Sequence, residues 1–467
     1  MRVRGYKSGW VGWIAEVRQT LALALPIMGG FVGQMMMGIA DTVMIGGVGT
    51  VPLAAASFGH NVFNVPMVAG YGLLSAVGVM AAQAFGAGRR EAAGEALRVG
   101  LWLALVCGVL TGFLFGWGRG RLGWLRQPEE VLAEAQAYLL LVGWSMLPTL
   151  LAHVLKQFSE ALNRVWPPMF ILLGGVLLNV LLNWLWIFGR GGFPAMGLAG
   201  AGWATLVARL ATFVGMGWFV LREAGLREWL PVRWAGGGQR WVWRQLMHLG
   251  MPVAVQHLLE VGAFVAAALM MGWIGPVAMA AHQVAITCAA TSFMFSLGIG
   301  MAVSIRVGHA WGGRQLERLR LVGYSGLVMT VGIMLSFACV FLLFGRELGE
   351  AFTRDGDVVA LVVGMLAVAA FFQVFDGLQV VALNALRGMS DVRMPAMLAV
   401  VAYWLLALPT GYVLCFRVGW GPVGMWVGLA AGLAVAAVLL IWRFRVMSVY
   451  GVGAGEVDKP VVQAINN

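Results

Sequence analysis

The stretch PIMGGFVGQMMMGIADTVMIGGVGTVPLAA, residues 26–55, returns 226 positions later as PVAVQHLLEVGAFVAAALMMGWIGPVAMAA, residues 252–281. The two copies align without a gap, and the match continues to residues 91 and 317. Identical residues recur at matching places, among them Pro26 with Pro252, Gly46 with Gly272 and Gly49 with Gly275. An apolar passage written twice indicates an internally duplicated membrane protein, and such repeats are typical of secondary transporters.

The composition places the chain in a lipid bilayer. Of its 467 residues 61% are apolar and 11% are charged, and the mean hydropathy is +0.85, which does not fit a soluble protein of this length. A spanning helix needs about 20 apolar residues. We therefore expect an all-α integral membrane protein with twelve transmembrane helices, near 15–45, 52–80, 92–118, 131–155, 165–189, 195–222, 243–272, 277–308, 318–345, 358–386, 393–416 and 422–447.

The number of spans in each half predicts how the two copies are related. Six spans return the chain to the side on which it began, so the copies have the same orientation and are related by a pseudo-twofold axis along the membrane normal. In this parallel class we expect a substrate cavity between two bundles that rock against each other. The predicted parts are an N-lobe at 1–222, a cytoplasmic linker at 223–242, a C-lobe at 243–447 and a cytoplasmic tail at 448–467.

The positive charges predict the orientation in the membrane. Of the 31 Lys and Arg residues, 23 lie on the side of the predicted termini, seven lie on the other side, and Arg209 falls within the sixth span. This positive-inside pattern predicts cytoplasmic termini in a multi-pass protein of the plasma (inner) membrane. The net charge of +11 forms no basic patch with interleaved aromatic residues. We therefore expect the lipid bilayer and not nucleic acid as a partner. We also expect a monomeric chain.

Acidic residues inside the predicted spans are the strongest functional signal. Asp41, Glu260 and Asp376 are the acids that fall well within apolar spans, where an ionisable side chain costs several kcal/mol and usually serves function. Because a low dielectric disfavours an unpaired carboxylate, each could accept a proton, a sodium ion or an organic cation. The alternative is that they are neutral or paired structural groups, with Arg209 or Arg306, nearer the helix ends, as a partner.

The repeat differs between its copies at these acids: Asp41 corresponds to Ala267, and Glu260 corresponds to Gln34. We expect the chemistry to lie where the copies differ.

Polar residues in the first half extend the Asp41 site. Asn179 and Asn183 are four residues apart in an apolar helix and therefore share a face, and Thr205 on the next helix could join them. Carboxylate, amide and hydroxyl oxygens together suit a hard monovalent cation or a proton. The alternative is that the amides only bind helices together.

The second half offers a histidine near its acidic residue. His257 lies three residues before Glu260, as a relay partner or, more simply, as a packed side chain. A single pair with this spacing is weak evidence for a metal.

Several motifs, in order along the chain, resemble the multidrug and toxic compound extrusion (MATE) family. In the first copy they are Leu25-Pro26, Ala40-Asp41-Thr42-Val43-Met44, Gly46 and Leu53-Ala54-Ala55-Ala56. In the second they are Gly250-Met251-Pro252, Leu259-Glu260-Val261-Gly262-Ala263-Phe264, Ala280-Ala281-His282-Gln283 and Ser304-Ile305-Arg306-Val307-Gly308, followed by Phe375-Asp376-Gly377-Leu378-Gln379 and Ala385-Leu386-Arg387-Gly388. The resemblance covers about residues 15 to 445.

The resemblance implies efflux of cationic or amphipathic small molecules in exchange for inward Na⁺ or H⁺, by alternating access of two lobes and without a cofactor. It implies an N-lobe cation-binding group at Asp41, Asn179, Asn183 and Thr205. Glu260 and Asp376 match the C-lobe acidic pair of the NorM-like branch. Either set is a candidate Na⁺ site.

The chain departs from some sodium-coupled relatives at two aromatic positions. Phe293 and Phe372 stand where those relatives carry tyrosine, so neither offers a hydroxyl ligand, and the choice of ion stays open. We expect a soft, tolerant cavity lining, or in its place ordinary helix packing, from Gln34, Met37, Phe264, Gln283, Phe293 and Phe372.

Three alternatives to drug efflux are compatible with the sequence. A lipid-linked oligosaccharide flippase would share the two-bundle architecture but would need a more cationic cavity for a pyrophosphate. A narrow metabolite exporter differs only in substrate. A polytopic enzyme would need a cluster of catalytic residues, whereas the six histidines are scattered along the chain.

Overall fold

The computed structural model describes residues 10–118, 120–121, 128–234 and 239–450, and these residues form helices and no strand. Within them twelve helices are long and apolar enough to cross a membrane. The predicted all-α, twelve-span architecture is confirmed. The predicted C-terminal tail beyond 450 and the centre of the predicted linker, 235–238, lie outside the described residues.

The helices follow each other in the same order in the two halves. The first half contains α1 (Trp10–Gly46), α2 (Thr50–Gly86), α3 (Arg90–Gly118), α4 (Glu129–Ala161), α5 (Trp166–Ile187) and α6 (Gly197–Arg222), followed by the short α7 (Ala224–Arg227). The second half contains α8 (Arg240–Ile274), α9 (Pro276–Gly312), α10 (Leu316–Leu343), the short α11 (Gly345–Phe352), α12 (Gly356–Gly388), α13 (Arg393–Arg417) and α14 (Gly421–Tyr450).

The turn between the first two helices of each half explains one conserved feature of the repeat. Gly49 and Gly275, which match in sequence, have φ of 156° and 148° with ψ of 173° and 174°. This backbone region is essentially restricted to glycine. Each half therefore needs a glycine at the point where the chain reverses.

Helices α4 and α12 extend beyond the predicted spans, and the extensions bury more charge than the sequence indicated. Helix α4 continues to residue 161, so Lys156 and Glu160 lie inside it as a buried ion pair with an N–O distance of 2.8 Å. Arg387 is likewise buried in the last turn of α12. The expectation that Asp41, Glu260 and Asp376 are the acids within the helices was therefore incomplete.

Helix α13 is irregular. Residues Val401–Ala407 and Val413–Arg417 adopt π-helical turns around a short α-helical stretch. Pro409, which has no N–H to donate to the preceding turn, is the second residue after the first π segment. Such segments often occur at functional sites, and this one carries Tyr403.

The chain divides into two compact units, and the division falls inside α1 and α8. The N-unit is Leu25–Leu258, and the C-unit combines Met1–Ala24 with Leu259–Asn467. The first part of α8 packs within the N-unit, where a methyl group on Gly72 would lie 2.7 Å from Cα of Ala254. The predicted lobes, which follow the order of the helices in sequence, stay a prediction.

Glycine contacts define the register of the N-unit helices that carry the site. Gly33 of α1 faces Leu173 of α5, and Gly47 faces Phe188, so α1 and α5 run parallel with a constant offset of about 140 residues. On the other side of α5, Gly175 faces Ala208 and Thr212, whereas Gly200 faces Trp186 and Ile187. Helices α5 and α6 are therefore antiparallel.

Candidate functional site

The N-unit site is centred on a hydrogen bond between α1 and α5. Nδ2 of Asn183 donates to Oδ1 of Asp41 at 2.5 Å and to Oδ1 of Asn179 at 3.2 Å, which uses both amide hydrogens. Asn179 and Asn183 are fully buried, while Asp41 is partly exposed. Oδ1 of Asn183 and Nδ2 of Asn179 have no hydrogen-bond partner. The structure thus brings three of the predicted site residues together and leaves an amide oxygen available to a cation.

Thr205 lies at the same level of the N-unit. In the antiparallel register of α5 and α6, the residue of α6 opposite Asn183 is at about 204. Thr205 is buried, and along the helix axis it lies within about one turn of the level of Asn183. Its membership of the predicted group of oxygen ligands stays a prediction.

Arg209 adds a positive charge to this site. It is the 13th of the 26 residues of α6, so the expectation that it lies near a helix end was wrong. Its Nη1 donates to the Ser145 hydroxyl at 2.7 Å, and its guanidinium carbon lies 4.6 Å from the ring centroid of Phe63. Arg209 and Asp41 interact electrostatically but are not in ion-pair contact. The N-unit site therefore contains one negative and one positive group.

The C-unit site links α8, α12 and α13. The Tyr403 hydroxyl lies 3.1 Å from Oε1 of Glu260 and 3.0 Å from Oε1 of Gln379. One hydroxyl hydrogen serves one acceptor at a time. If the Gln379 amide turns, its otherwise unpartnered nitrogen can donate to the Tyr403 oxygen while Tyr403 donates to Glu260.

Asp376 completes the acidic pair. It is buried in α12, one turn before Gln379, and its charge and that of Glu260 repel each other. Arg387 acts on Glu260 with the opposite sign. Two carboxylates that repel each other in a low-dielectric site gain most from taking up a single cation.

The two sites use the same pair of helices in each half. Asp41 and Asn183 are 142 residues apart, and Glu260 and Tyr403 are 143 residues apart. Their levels differ, since Asp41 corresponds to Ala267, seven residues after Glu260 in α8. Ala267 is fully buried in the apolar core of the C-unit. Within its own half, the C-unit site therefore lies seven residues, about 10 Å, nearer the start of the first long helix than the N-unit site does in its half.

Tyr403 is the functional residue that sequence reasoning missed. Phe293 and Phe372 lack the hydroxyl of some relatives, but Tyr403 supplies one to Glu260 from another helix. The repeat contained the signal. Asp41 and its partner Asn183 are 142 residues apart, and the same spacing counted from Glu260 ends at residue 402, next to Tyr403.

The residues predicted to line a cavity are placed differently from one another. Phe264 is partly buried, with its ring centroid 6.1 Å from that of Tyr403. Phe372 is in the apolar core and packs edge-on against Trp426 at 5.7 Å. Gln34 and Gln283 are exposed, and Met37 and Phe293 are partly exposed. Within this set, Phe264 is the residue whose ring packs against a side chain of the C-unit site, Tyr403.

Arg306, the other basic residue considered as a partner for these acids, is engaged elsewhere. It forms a buried ion pair with Glu16 of α1 within the C-unit. Among the described residues no group of three or more His, Cys, Asp and Glu side chains could hold a metal ion.

Comparisons with known proteins show the family to which the chain belongs. Residues 26–185 and 252–413 match the family model MatE, one match in each half. The probable multidrug resistance protein NorM of Bradyrhizobium diazoefficiens is 37% identical over 437 residues, which cover 93% of this chain and 94% of that protein. The multidrug resistance protein NorM of Photobacterium profundum is 36% identical over 438 residues and covers 92% of this chain and 95% of its own.

Solved structures share the fold. The eukaryotic MATE transporter AtDTX14 superposes with a TM-score of 0.83 at 20% identity, over 92% of this chain and 96% of its own. The Vibrio cholerae MATE transporter VcmN in its bent form gives a TM-score of 0.85 at 20% identity, over 93% and 98%. The family matches in both halves and the relatives above one-third identity together show that the chain is a multi-pass membrane transporter, not an enzyme, and that it belongs to the NorM-like MatE family.

Proposed function

We propose that this transporter is a secondary antiporter that exports cationic or amphipathic organic compounds in exchange for inward Na⁺ or H⁺. The names of the NorM relatives, which are multidrug resistance proteins, support efflux of many compounds. The proposal includes cytoplasmic termini, an inner-membrane location and a monomeric transporting chain.

The observation that carries the proposal is a carboxylate site in each compact unit. Asp41 in the N-unit and Glu260 in the C-unit are both partly exposed, and each is held by a hydrogen bond from the fifth helix of its own half. Carboxylates inside a membrane face a protein interior or a watery cavity and mark the paths of ions and substrates. Two such sites permit ion and substrate to bind separately or in competition.

The C-unit is the better candidate for the coupling ion. Glu260 and Asp376 repel each other, so one bound proton or sodium ion relieves that repulsion. Arg209 acts on Asp41 and Arg387 acts on Glu260, whereas the electrostatic partner of Asp376 is the like charge of Glu260. Asp41 therefore gains less than Asp376 from a coupling ion.

The oxygen groups at both sites are chemically compatible with either ion. In the N-unit, the Asp41 carboxylate, the Thr205 hydroxyl and the unpartnered Asn183 amide oxygen are hard oxygen ligands for a cation. In the C-unit, the Tyr403 hydroxyl and the Gln379 amide flank Glu260. A proton would be shared by Glu260 and Asp376, and Na⁺ would be coordinated by the same oxygens.

The mechanism requires only differential affinity. When the sites face outside, uptake of the ion at Glu260 and Asp376 favours release of the organic compound. When the sites face inside, loss of the ion restores the negative charge that attracts the next compound. Alternating exposure to the two sides then couples export to the inward ion gradient.

Efflux from proteoliposomes tests the proposal. Vesicles loaded with ethidium receive a Na⁺ gradient at constant pH or a pH gradient without Na⁺. We expect one gradient to drive efflux in the wild type, and Asp376→Asn and Glu260→Gln to lose the gradient-driven part. Glu350→Gln, an exposed carboxylate outside the spans, is the matched control and should leave efflux unchanged. Efflux by Asp376→Asn equal to wild type would contradict the C-unit role, and no efflux by wild type under either gradient would contradict antiport.

A further inference from the structure

Helix α4 carries polar side chains along one face, from the middle of the helix to its end. This α4 stripe consists of Ser145, Thr149, His153, Lys156, Gln157 and Glu160. Its members fall within about 120° of the helix circumference, and the stripe is about 22 Å long. It runs to the end of α4 that the proposed orientation places in the cytoplasm, and the antiport mechanism above does not use it.

The stripe begins beside the N-unit site. Nη1 of Arg209 donates to the Ser145 hydroxyl at 2.7 Å, and the Thr149 hydroxyl donates to the Ser145 carbonyl at 2.7 Å. Arg209 also acts electrostatically on Asp41 and on Tyr71 of α2. The first part of the stripe therefore belongs to the same polar surroundings as Asp41.

His153 lies in the middle of the stripe and is able to carry a proton. Its ring stacks on that of Tyr71, with the centroids 4.2 Å apart and 9° between the planes. Its Nε2 lies 3.4 Å from Nε2 of Gln157. In the tautomer in which Gln157 donates, this ring nitrogen is unprotonated and can take up a proton. His153 is partly exposed, so a proton can enter the stripe here.

The last part of the stripe is a buried ion pair. Nζ of Lys156 lies 2.8 Å from Oε1 of Glu160, and the exposed fractions are 7% for the Lys156 side chain and 2% for the Glu160 side chain. Oε2 of Glu160 is buried without a hydrogen-bond partner. A buried pair seldom adds stability over apolar side chains of the same size, whereas ionisable groups within a membrane usually serve function.

The corresponding helix of the second half differs at these positions. Helices α4 and α12 end at Ala161 and Gly388, and each is followed two residues later by a left-handed residue, Asn163 or Ser390. In this alignment His153, Lys156 and Glu160 correspond to Val380, Leu383 and Arg387. The histidine and the ion pair are thus particular to the N-unit.

We propose that the α4 stripe is a proton relay between the N-unit site and the cytoplasmic end of α4. This inference rests on the proposed antiport and assigns to it a path for H⁺. Chains of histidine and acidic residues serve as proton relays in membrane transporters. His153, Lys156 and Glu160 are three and four residues apart, so neighbouring members face each other on the helix surface.

The relay returns each group to its first state. A proton leaves the Asp41 carboxyl group and is taken up by His153, which becomes an imidazolium. The Lys156 ammonium gives a proton to the Glu160 carboxylate, and Glu160 then releases this proton towards the end of α4. The neutral Lys156 amine takes the proton of the imidazolium. One proton has then moved from Asp41 to the cytoplasmic side.

The charged and titratable groups around the relay favour H⁺ over Na⁺. They are Arg209 of α6 and Tyr71 of α2 at the start, and the Glu95–Arg98 ion pair of α3 at the level of Glu160. A sodium ion would have to pass the positive charges of Arg209 and Lys156. A proton is handed on by Lys156 itself, so the same charge does not block it.

Two assays in proteoliposomes separate the relay from the rest of transport. Efflux of ethidium driven by a pH gradient without Na⁺ requires net proton transfer in each cycle. Exchange of radiolabelled internal for unlabelled external ethidium, at pH 8 on both sides, requires none, because one molecule of the compound returns in place of the proton. A relay variant should therefore lose the first activity and keep the second.

His153→Phe removes the titratable nitrogens and keeps a ring that can stack on Tyr71. It should slow pH-driven efflux about tenfold or more, since a positioned proton-transfer group accelerates its step by at least that factor. Exchange should change less than about twofold. His248→Phe, which replaces an exposed histidine in the first part of α8, is the matched control and should change neither.

Equal slowing of efflux and exchange by His153→Phe would show a structural role and overturn the inference, as would pH-driven efflux at the wild-type rate. If His153→Phe does not fold, the double variant Lys156→Gln with Glu160→Gln decides by the same two results, because it removes both titratable groups without stranding a charge. A wild type driven by Na⁺ alone would overturn the inference and leave antiport standing. A wild type with neither efflux nor exchange would contradict the proposed transport function, and the inference with it.

Discussion

The buried ion pair between Glu16 and Arg306 gives a stability prediction that can be worked from the structure. It lies within the C-unit and ties the first turns of α1 to α9. Arg306 also donates to the Glu16 carbonyl at 2.6 Å, to Gln19 at 2.9 Å and to the Thr20 hydroxyl. The exposed fractions are 4% for the Arg306 side chain and 8% for the Glu16 side chain, so solvent screens the pair little.

Removal of one partner leaves the other charge buried. Breaking a buried pair in this way costs about 3–5 kcal/mol. Arg306→Met leaves Glu16 with Arg318, 3.4 Å away and 37% exposed, so we expect a loss near the lower end, about 3 kcal/mol in the free energy of unfolding. The double variant with Glu16→Met removes the stranded charge and should recover to within about 1 kcal/mol of wild type.

The assay is equilibrium unfolding by SDS in mixed micelles, followed by the fluorescence of the 21 tryptophans. Arg346→Met is the control, because its pair with Glu350 is on the surface, with exposed fractions of 78% and 51%, and such pairs contribute about 1 kcal/mol or less. A loss below about 1 kcal/mol for Arg306→Met would refute the reasoning. Additive losses in the double variant would refute it as well, because they would show that the two side chains are not coupled.

Two further predictions concern the C-unit site and the repeated turn. Tyr403→Phe should slow ion-coupled efflux about tenfold, because a hydrogen bond to a charged group contributes about 1.5–3 kcal/mol; Tyr412→Phe on the same helix should stay within about twofold, and equal rates for both variants would argue against a role for the Tyr403 hydroxyl. Gly275→Ala should lower the free energy of unfolding by about 1–3 kcal/mol, because its φ of 148° suits only glycine. The control is Gly217→Ala, which has no atom within 4 Å of the added methyl group and should be neutral or stabilising. An unfolding midpoint of Gly275→Ala at or above that of wild type would contradict the strain argument.

The repeat and the apolar spans were readable because each depends on local chain properties. Helix formation in a bilayer requires only a long apolar run, since every backbone group must be satisfied within the helix. Asp41, Asn179 and Asn183 could be grouped because a polar side chain in such a run is conspicuous. The end of α4 was predicted too early, because the predicted span stopped before the charged residues Lys156 and Glu160. In the structure these two side chains form an ion pair across one helical turn, so the helix continues to residue 161.

The sequence by itself determined the bilayer environment, the twelve spans, the duplication and the identity of the main acidic residues. Only the tertiary structure decided the partners of the charged residues. Asn183 donates to Asp41, Tyr403 donates to Glu260, and Arg306 pairs with Glu16 and not with a site carboxylate. The physical reason is that apolar periodicity specifies that a helix spans the membrane, but nearly uniform apolar faces leave its rotation and its neighbours undefined. Close packing at small residues and a few buried hydrogen bonds fix those choices, and they join residues more than 140 positions apart.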